Sequence, residues 1–419
     1  MKNYIEDDNL QIAMAEYNNI NSVGDEIWTK NNTYVGKVSD IYDNNSHSGE
    51  QIYVVVDDID ISAEDVKEVT VLFRGSTSPQ EIFSDPADVA LDWLENDIPM
   101  ASNIWAMKDF GNPHNFSAVS PQLTASSKHL KEIMKKYPNA DINLAGHSLG
   151  GMDAQYAVVD ITDKKDLKRI NSVHIYNSPD IYPTLTKEQK KTADSLKSKI
   201  VVYVDPNGFI GMVGREGKKG SEDSVGTVYY TESPDINWID QHMTYGYRME
   251  NGQIKVIETN LPPEVKDIRK KMGTFYKYKK NFQKSGKGLS SHEKIFLDAE
   301  QATVISNGLA TTAETALEEI ESTANAAVKE AEELWNTTKI MPFGVSELTE
   351  AELAEAYEAG GVTYDSIVTK TETHFNKKVT KADNLVTTYT TLRSDIQSGI
   401  ETMLAKDSAL AGDFKKWKS

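Results

Sequence analysis

The stretch Ile142-Asn143-Leu144-Ala145-Gly146-His147-Ser148-Leu149-Gly150-Gly151-Met152-Asp153-Ala154-Gln155-Tyr156-Ala157 runs from an apolar segment through a glycine-flanked serine into a helix-forming segment. A serine that turns a strand sharply into a helix must take a strained backbone conformation so that its hydroxyl clears the sheet. Bulky neighbours two residues away on either side would collide there. Gly146 and Gly150 occupy those two positions. The order of strand, glycine-flanked serine and helix marks Ser148 as a nucleophile and sets the expectation of an α/β layer architecture.

The surrounding sequence supports that architecture. Apolar strands are legible at Gln51 to Val56, Val69 to Phe73, Ile142 to Ala145, Val173 to Tyr176 and Ile200 to Val204. Helices are expected from Leu123 to Tyr137 and from Leu185 to Leu196. Met249-Glu250-Asn251-Gly252-Gln253-Ile254 holds an Asn-Gly hairpin signal, expected to close the sheet. Taken together these segments read as an α/β-hydrolase domain over residues 1–262.

In such a fold an acid and then a histidine follow the serine, each on a loop after a later strand. Of eight histidines, His47, His114, His129 and His147 precede Ser148, His174 lies within a strand, and His292 and His374 fall in the C-terminal helices. His242 remains as the base. Asp205 directly follows the strand ending at Val204 and is the favoured acid, with Asp180 as a second candidate. His242 would take the Ser148 proton as the hydroxyl attacks an ester carbonyl, while Asp205 fixes the imidazole tautomer. The developing oxyanion needs N–H donors. Leu149, after the nucleophile, supplies one; Ser76, in Phe73-Arg74-Gly75-Ser76, supplies the other. No cofactor or metal is expected. The glycine-rich, charged run Val213 to Gly220 reads as an exposed loop near the acid.

Composition narrows the classes further. The chain of 419 residues has a net charge of -19, which argues against a nucleic-acid binder and against electrostatic docking on anionic lipid; lipid contact is expected through apolar side chains near the site. The absence of cysteine removes disulfides and thiol chemistry. The acidic start Met1-Lys2-Asn3-Tyr4-Ile5-Glu6-Asp7-Asp8 lacks the pattern of a secretory signal peptide.

Beyond Pro262-Pro263 the character changes. A basic helical segment from Glu264 to about Gln283 and a flexible joint at Ser285-Gly286-Lys287-Gly288 are expected to link the parts over 263–289. Ser290-Ser291-His292-Glu293 is a capping box opening a long helix, with an apolar stripe through Ile295, Ala299, Ile305, Leu309 and Leu334. A second stripe from Tyr364 through Leu385 to Met403 follows a shorter helix from Ser346 to Tyr357. Residues 290–419 therefore read as an elongated all-α hairpin or bundle.

Phe73-Arg74-Gly75-Ser76, Asp92-Trp93-Leu94 and Gly146-His147-Ser148-Leu149-Gly150-Gly151 resemble the class-three (fungal-type) lipases. That resemblance implies Ser148, Asp205 and His242 as the triad and Ser76 with Leu149 as the oxyanion hole. A lipase domain followed by a helical domain, with Leu385-Val386-Thr387 matching a Leu-x-Thr motif, resembles the antibacterial lipase toxins of reversed domain order exported by the type VII secretion system of Gram-positive bacteria. This resemblance implies secretion without a cleavable signal peptide and action at a target-cell membrane on phospholipid or glycerolipid. It also implies small helical secretion partner proteins on the C-terminal domain and an immunity protein. An intracellular carboxylesterase with an oligomerising coiled-coil tail is the alternative, and a binding protein with a vestigial hydrolase fold is a third reading.

Overall fold

Runs of β-branched residues set the strand positions at the centre of the fold. The computed structural model describes residues 4–17, 20–43, 51–74, 120–208, 210–215, 223–234, 236, 238–258, 261–283, 290–338, 340, 341 and 349–417. In chain order, helix α1 (Glu6–Ala13) precedes strands β1 (Glu26–Trp28), β2 (Tyr34–Asp43), β3 (Gln51–Val56) and β4 (Glu68–Phe73). Helix α2 (Pro121–Lys136), strand β5 (Asp141–His147) and helix α3 (Ser148–Val159) follow. Next come α4 (Lys164–Arg169), β6 (Ile170–Tyr176), α5 (Lys187–Ser195), β7 (Ile200–Val204) and β8 (Thr227–Tyr230). Helix α6 (Trp238–His242) and the short strands β9 (Met249–Glu250) and β10 (Gln253–Ile254) end the first of two compact units, Met1–Asn260. The second unit, Leu261–Ser419, holds α7 (Pro263–Gln283), α8 (Ser291–Thr338), α9 (Glu350–Ala359) and α10 (Lys370–Trp417).

Among the described residues β1 to β8 form one sheet in sequence order, antiparallel from β1 to β4 and parallel from β4 to β8. The central strands β3, β4 and β7 are buried on both faces, which is why they read as near-continuous apolar runs rich in Val, whereas β6 and β8 are only partly buried. Helix α3 lies wholly in the interior, where Gln122 Nε2 donates to Asp153 Oδ2 at 2.8 Å, and Gln155 Nε2 donates to Ser178 Oγ at 3.0 Å and Pro179 O at 2.8 Å.

The N-terminal segment is bound to both ends of this unit. Asp8, 1% exposed, accepts from Thr29 Oγ1 at 2.8 Å and Asn31 Nδ2 at 3.0 Å, tying α1 to the β1–β2 hairpin. Asp7 N–H donates to Gly252 O at 3.1 Å and Ile254 N–H to Glu6 Oε2 at 2.8 Å. The Asn251-Gly252 turn forms as its positive φ angles of 52° and 77° require. Its strands do not close the main sheet, however. They make a separate hairpin against α1, and the sheet is met only by the chain just beyond β10, where Ile257 N–H donates to Tyr230 O at 2.8 Å and Val256 bridges Thr231 at the end of β8. The turn chemistry was local, whereas membership of a sheet is decided by tertiary hydrogen bonds.

The second unit matches expectation in part. The basic segment expected to be helical from Glu264 to about Gln283 forms α7, but instead of serving only as a link it packs on α8, with Ile268 against Gly308 and Phe275 4% exposed. Proline at its first position is compatible with this, because the first turn needs no intrahelical N–H donor there. The joint at 285–288 lies outside the described residues. The capping box is present, with Ser290 N–H donating to Glu293 Oε2 at 2.7 Å and Glu293 N–H to Ser290 Oγ at 3.3 Å. Helices α8 and α10 pack along each other, each 48 residues or about 72 Å long. The predicted stripe on α8 is only partly internal: Ala299, Ala324 and Ala331 are buried, while Ile305 (45%) and Leu309 (39%) are exposed. Because α8 packs on both α7 and α10, it also buries Leu297, Val304 and Ala310, which a one-face reading assigns outward. The joining helix begins at Glu350 under a Thr349 cap; its expected start at Ser346 lies outside the described residues. No described helix is long and apolar enough to cross a membrane.

One ion pair fixes the loop between β6 and α5. Arg215 Nη1 donates to Asp180 Oδ2 at 3.0 Å with both side chains 1% exposed, and Arg215 Nη2 reaches Ser178 O at 3.0 Å. Arg215→Met leaves the Asp180 carboxylate buried without its cation, and the expected loss is about 3–5 kcal/mol of stability. Urea unfolding of the full chain measures this in the transition of the first unit; an unchanged midpoint contradicts it.

Candidate active site

Strand β5 ends and α3 begins at Ser148, whose φ of +58° is the left-handed conformation that a non-glycine residue adopts only under constraint. The constraint comes from two glycines. A Cβ on Gly146 would overlap the carbonyl oxygen of Gly150, and a Cβ on Gly150 would overlap that of Phe73. The same closeness brings the end of β4, at Phe73 and Arg74, against the start of α3. Leu149 is the second residue of α3, where backbone N–H groups have no intrahelical acceptor, so its N–H is available to an anion. Gly75 and Ser76, the expected second source of an oxyanion donor, lie outside the described residues, as do Asp92, Trp93 and Leu94.

His242 Nε2 lies 2.8 Å from Ser148 Oγ, with the serine 3% and the histidine 6% exposed. The serine hydroxyl donates to Nε2 when the neutral imidazole carries its proton on Nδ1. Burial, and secondarily the neighbouring His147, hold the His242 pKa well below the ordinary histidine value, so the imidazole is in the proton-accepting form at neutral pH. His242 was expected on a loop. It is instead the last residue of the one-turn helix α6, immediately before the turn Met243–Gly246.

What aims this imidazole is its own backbone carbonyl, held from two sides. His147 Nε2 donates to His242 O at 2.7 Å, and Asn177 Nδ2 donates to the same oxygen at 2.9 Å and to Gln241 O at 2.8 Å. A carbonyl only accepts, so His147 carries its proton on Nε2, and its Nδ1 accepts the Tyr17 hydroxyl at 2.9 Å. Burial pushes the His147 imidazole down to about 4, against the opposing pull of the His242 carbonyl. His147 therefore fixes the base without exchanging protons with it.

Asn177, at φ +45°, also joins the ends of three chain segments. Its Oδ1 accepts Asp205 N–H at 2.8 Å and the Tyr247 hydroxyl at 2.7 Å, and its own N–H donates to Tyr203 O at 2.9 Å. Neither Asn177, Tyr247 nor Tyr17 stands out in the sequence. The one available signal is the run Asn177-Ser178-Pro179 at a strand end, since asparagine tolerates positive φ.

Asp205, 0% exposed, sits at the carboxyl end of β7 as expected. Its Oδ1 accepts Asn207 N–H at 2.9 Å. Its Oδ2 is buried without a hydrogen-bond partner and faces the turn after His242, 3.7 Å from where a Cβ on Gly246 would stand. Such an orphaned carboxylate oxygen is costly and uncommon in a folded interior. Asp180, the other candidate, is occupied by Arg215.

The first unit is thus a mixed α/β domain with a serine–histidine pair at the carboxyl end of its central parallel strands. Residues 109–289 match the family model described as Mbeg1-like, a stretch that is less than half of the chain and contains Ser148, Asp205 and His242. No curated protein matches the chain.

The buried histidines make stability depend on pH. A histidine is half-protonated near pH 6.5 in the unfolded chain, whereas His147 in the fold is so only near 4. On acidification from about 6.5 to about 4 the unfolded chain takes up this proton first, so stability falls across that window, by up to roughly 3 kcal/mol from His147, with His242 adding in the same direction. Burial holds His174 down to about 4 as well, so urea unfolding between pH 7.5 and 4.5 reads a slope of up to about three histidine equivalents, which His147→Gln is expected to reduce by about a third. An equally steep slope in that variant contradicts the assignment.

Proposed function

We propose that the chain is a serine-dependent acyl hydrolase of the lipase or phospholipase A type, cleaving ester bonds of membrane glycerolipids through Ser148, His242 and Asp205. The single observation that carries this reading is the 2.8 Å contact between Ser148 Oγ and His242 Nε2 at a strained strand-to-helix turn. In the proposed reaction Ser148 attacks the ester carbonyl while its proton passes to His242 Nε2. The Leu149 N–H stabilises the tetrahedral oxyanion, with Ser76 assigned the second donor. The imidazolium then protonates the leaving alcohol, and a water deprotonated by His242 releases the acid from the acyl-enzyme. Asp205 Oδ2 is assigned as the acceptor of the imidazole Nδ1–H in the reacting enzyme, a role supported by its burial without a hydrogen-bond partner beside the turn after His242.

The same proposal takes the chain to be a toxin exported by a type VII system, acting at a target-cell membrane and blocked by an immunity protein. Small helical partners would bind the second unit. Leu385, 53% exposed, and Thr387, also exposed, leave the Leu-x-Thr stretch of α10 accessible to such partners. Exposed Ile305 and Leu309 on α8 add apolar surface of the same kind.

Incubating the full chain with mixed bacterial phospholipids and glycerolipids, with mass spectrometry of the products, tests the enzymatic half. Free fatty acid and lysolipid are expected. Ser148→Ala is expected to reduce release to background, and Asp205→Asn to lower kcat about 10³- to 10⁴-fold by disfavouring the required tautomer. Undiminished release from Ser148→Ala would sink the reading.

A further inference from the structure

The chain is strongly acidic, yet residues 263–283 carry seven Lys or Arg against two acidic residues. Helical spacing sorts these charges. Lys266, Lys270, Lys277 and Lys280, separated by four, seven and three residues, fall on one face of α7. Lys270, Lys277 and Lys280 are exposed and Lys266 is partly exposed. The opposite face carries Ile268 and Phe275, which pack into the second unit. Of the two acids, Asp267 is engaged by Lys271 at 2.5 Å and Glu264 lies near the packed face. A stripe of one sign, about 20 Å long, is what remains outward.

Like charges at three- and four-residue spacing destabilise a helix, so local stability does not account for the stripe. Net charge does not cancel it either, because screening confines each charge to about 8–10 Å at moderate ionic strength, and a surface meeting α7 senses the lysines before the distant acids. We propose that this face of α7 docks the protein on an anionic lipid surface. Lysines suit such a surface, since each is a point charge on a flexible stem that needs no fixed partner geometry, unlike the planar fork of arginine. The apolar face of α7 is already occupied, so docking is peripheral and electrostatic rather than insertive. Choosing lipid over another polyanion rests on the acyl-hydrolase reading above. Such docking departs from the expectation, drawn from net charge, that lipid contact comes from apolar side chains near the site rather than from a basic patch.

The test is co-sedimentation of the full chain, carrying Ser148→Ala so that lipid stays intact, with vesicles of equimolar phosphatidylglycerol and phosphatidylcholine or of phosphatidylcholine alone. Binding is expected to the anionic vesicles only, and to fail above about 0.5 M salt, where the screening length shrinks to a few Å. Replacing the four lysines together (Lys266→Gln, Lys270→Gln, Lys277→Gln, Lys280→Gln) is expected to weaken it up to about a thousandfold. The same four changes in the active chain are expected to leave hydrolysis of a water-soluble ester and the helical circular dichroism unchanged. Equal binding to both vesicle types, full binding by the quadruple variant, or binding to duplex DNA but not to anionic vesicles would each overturn the proposal. The two readings fail separately: vesicle binding without ester hydrolysis removes only the enzyme, and ester hydrolysis without vesicle binding removes only the docking surface.

Discussion

The first unit depends on bringing an imidazole within hydrogen-bond reach of a hydroxyl that lies 94 residues earlier in the chain. Neither group is placed by its own side-chain packing alone. The hydroxyl is aimed by a backbone turn that tolerates no Cβ at Gly146 or Gly150. The imidazole is aimed through its carbonyl, which His147 and Asn177 grip together at 2.7 and 2.9 Å. His147 is itself the residue before the nucleophile, so one strand end fixes both partners. Tyr17 extends the chain of contacts into the N-terminal segment, whose α1 is held at Asp8 and at the β9–β10 hairpin. The site is consequently assembled from both termini of the unit rather than from the sheet alone.

Burial gives this arrangement its chemistry. With His147 and His242 both held neutral, two adjacent imidazoles coexist in an interior that could not accept two charges. A neutral His242 is a base, and a neutral His147 is a strut. Asp205 differs from Asp180 in a way that separates their roles. Asp180 is saturated by Arg215 and two backbone N–H groups, while Asp205 keeps one buried oxygen unoccupied on the side of the turn after His242.

Much of this was legible in residues and some of it was not. Strands β3 and β7 could be bounded from sequence because strands buried on both faces become unbroken Val/Ile runs. β1, β2 and β8, short or mixed in composition, gave no comparable signal. The elbow is readable because its requirement, small residues two positions from a serine, is local. His242 could be reached by chain order, whereas Asn177, Tyr247 and Tyr17 act through hydrogen bonds that only the tertiary fold creates. The Asn251-Gly252 turn was visible but its destination was not, and α8 buries more than one stripe because it has two neighbours. Net charge hid the lysine face of α7, since a sum over the chain erases a patch confined to five helical turns.

The most direct test of the central claim is covalent labelling of the full chain by a fluorophosphonate, with the adduct located by peptide mass spectrometry. A hydroxyl activated by His242 reacts stoichiometrically, so one adduct per chain on Ser148 is predicted, with labelling slowed by orders of magnitude in His242→Gln. An unlabelled Ser148, or one that labels equally fast without His242, would contradict the account.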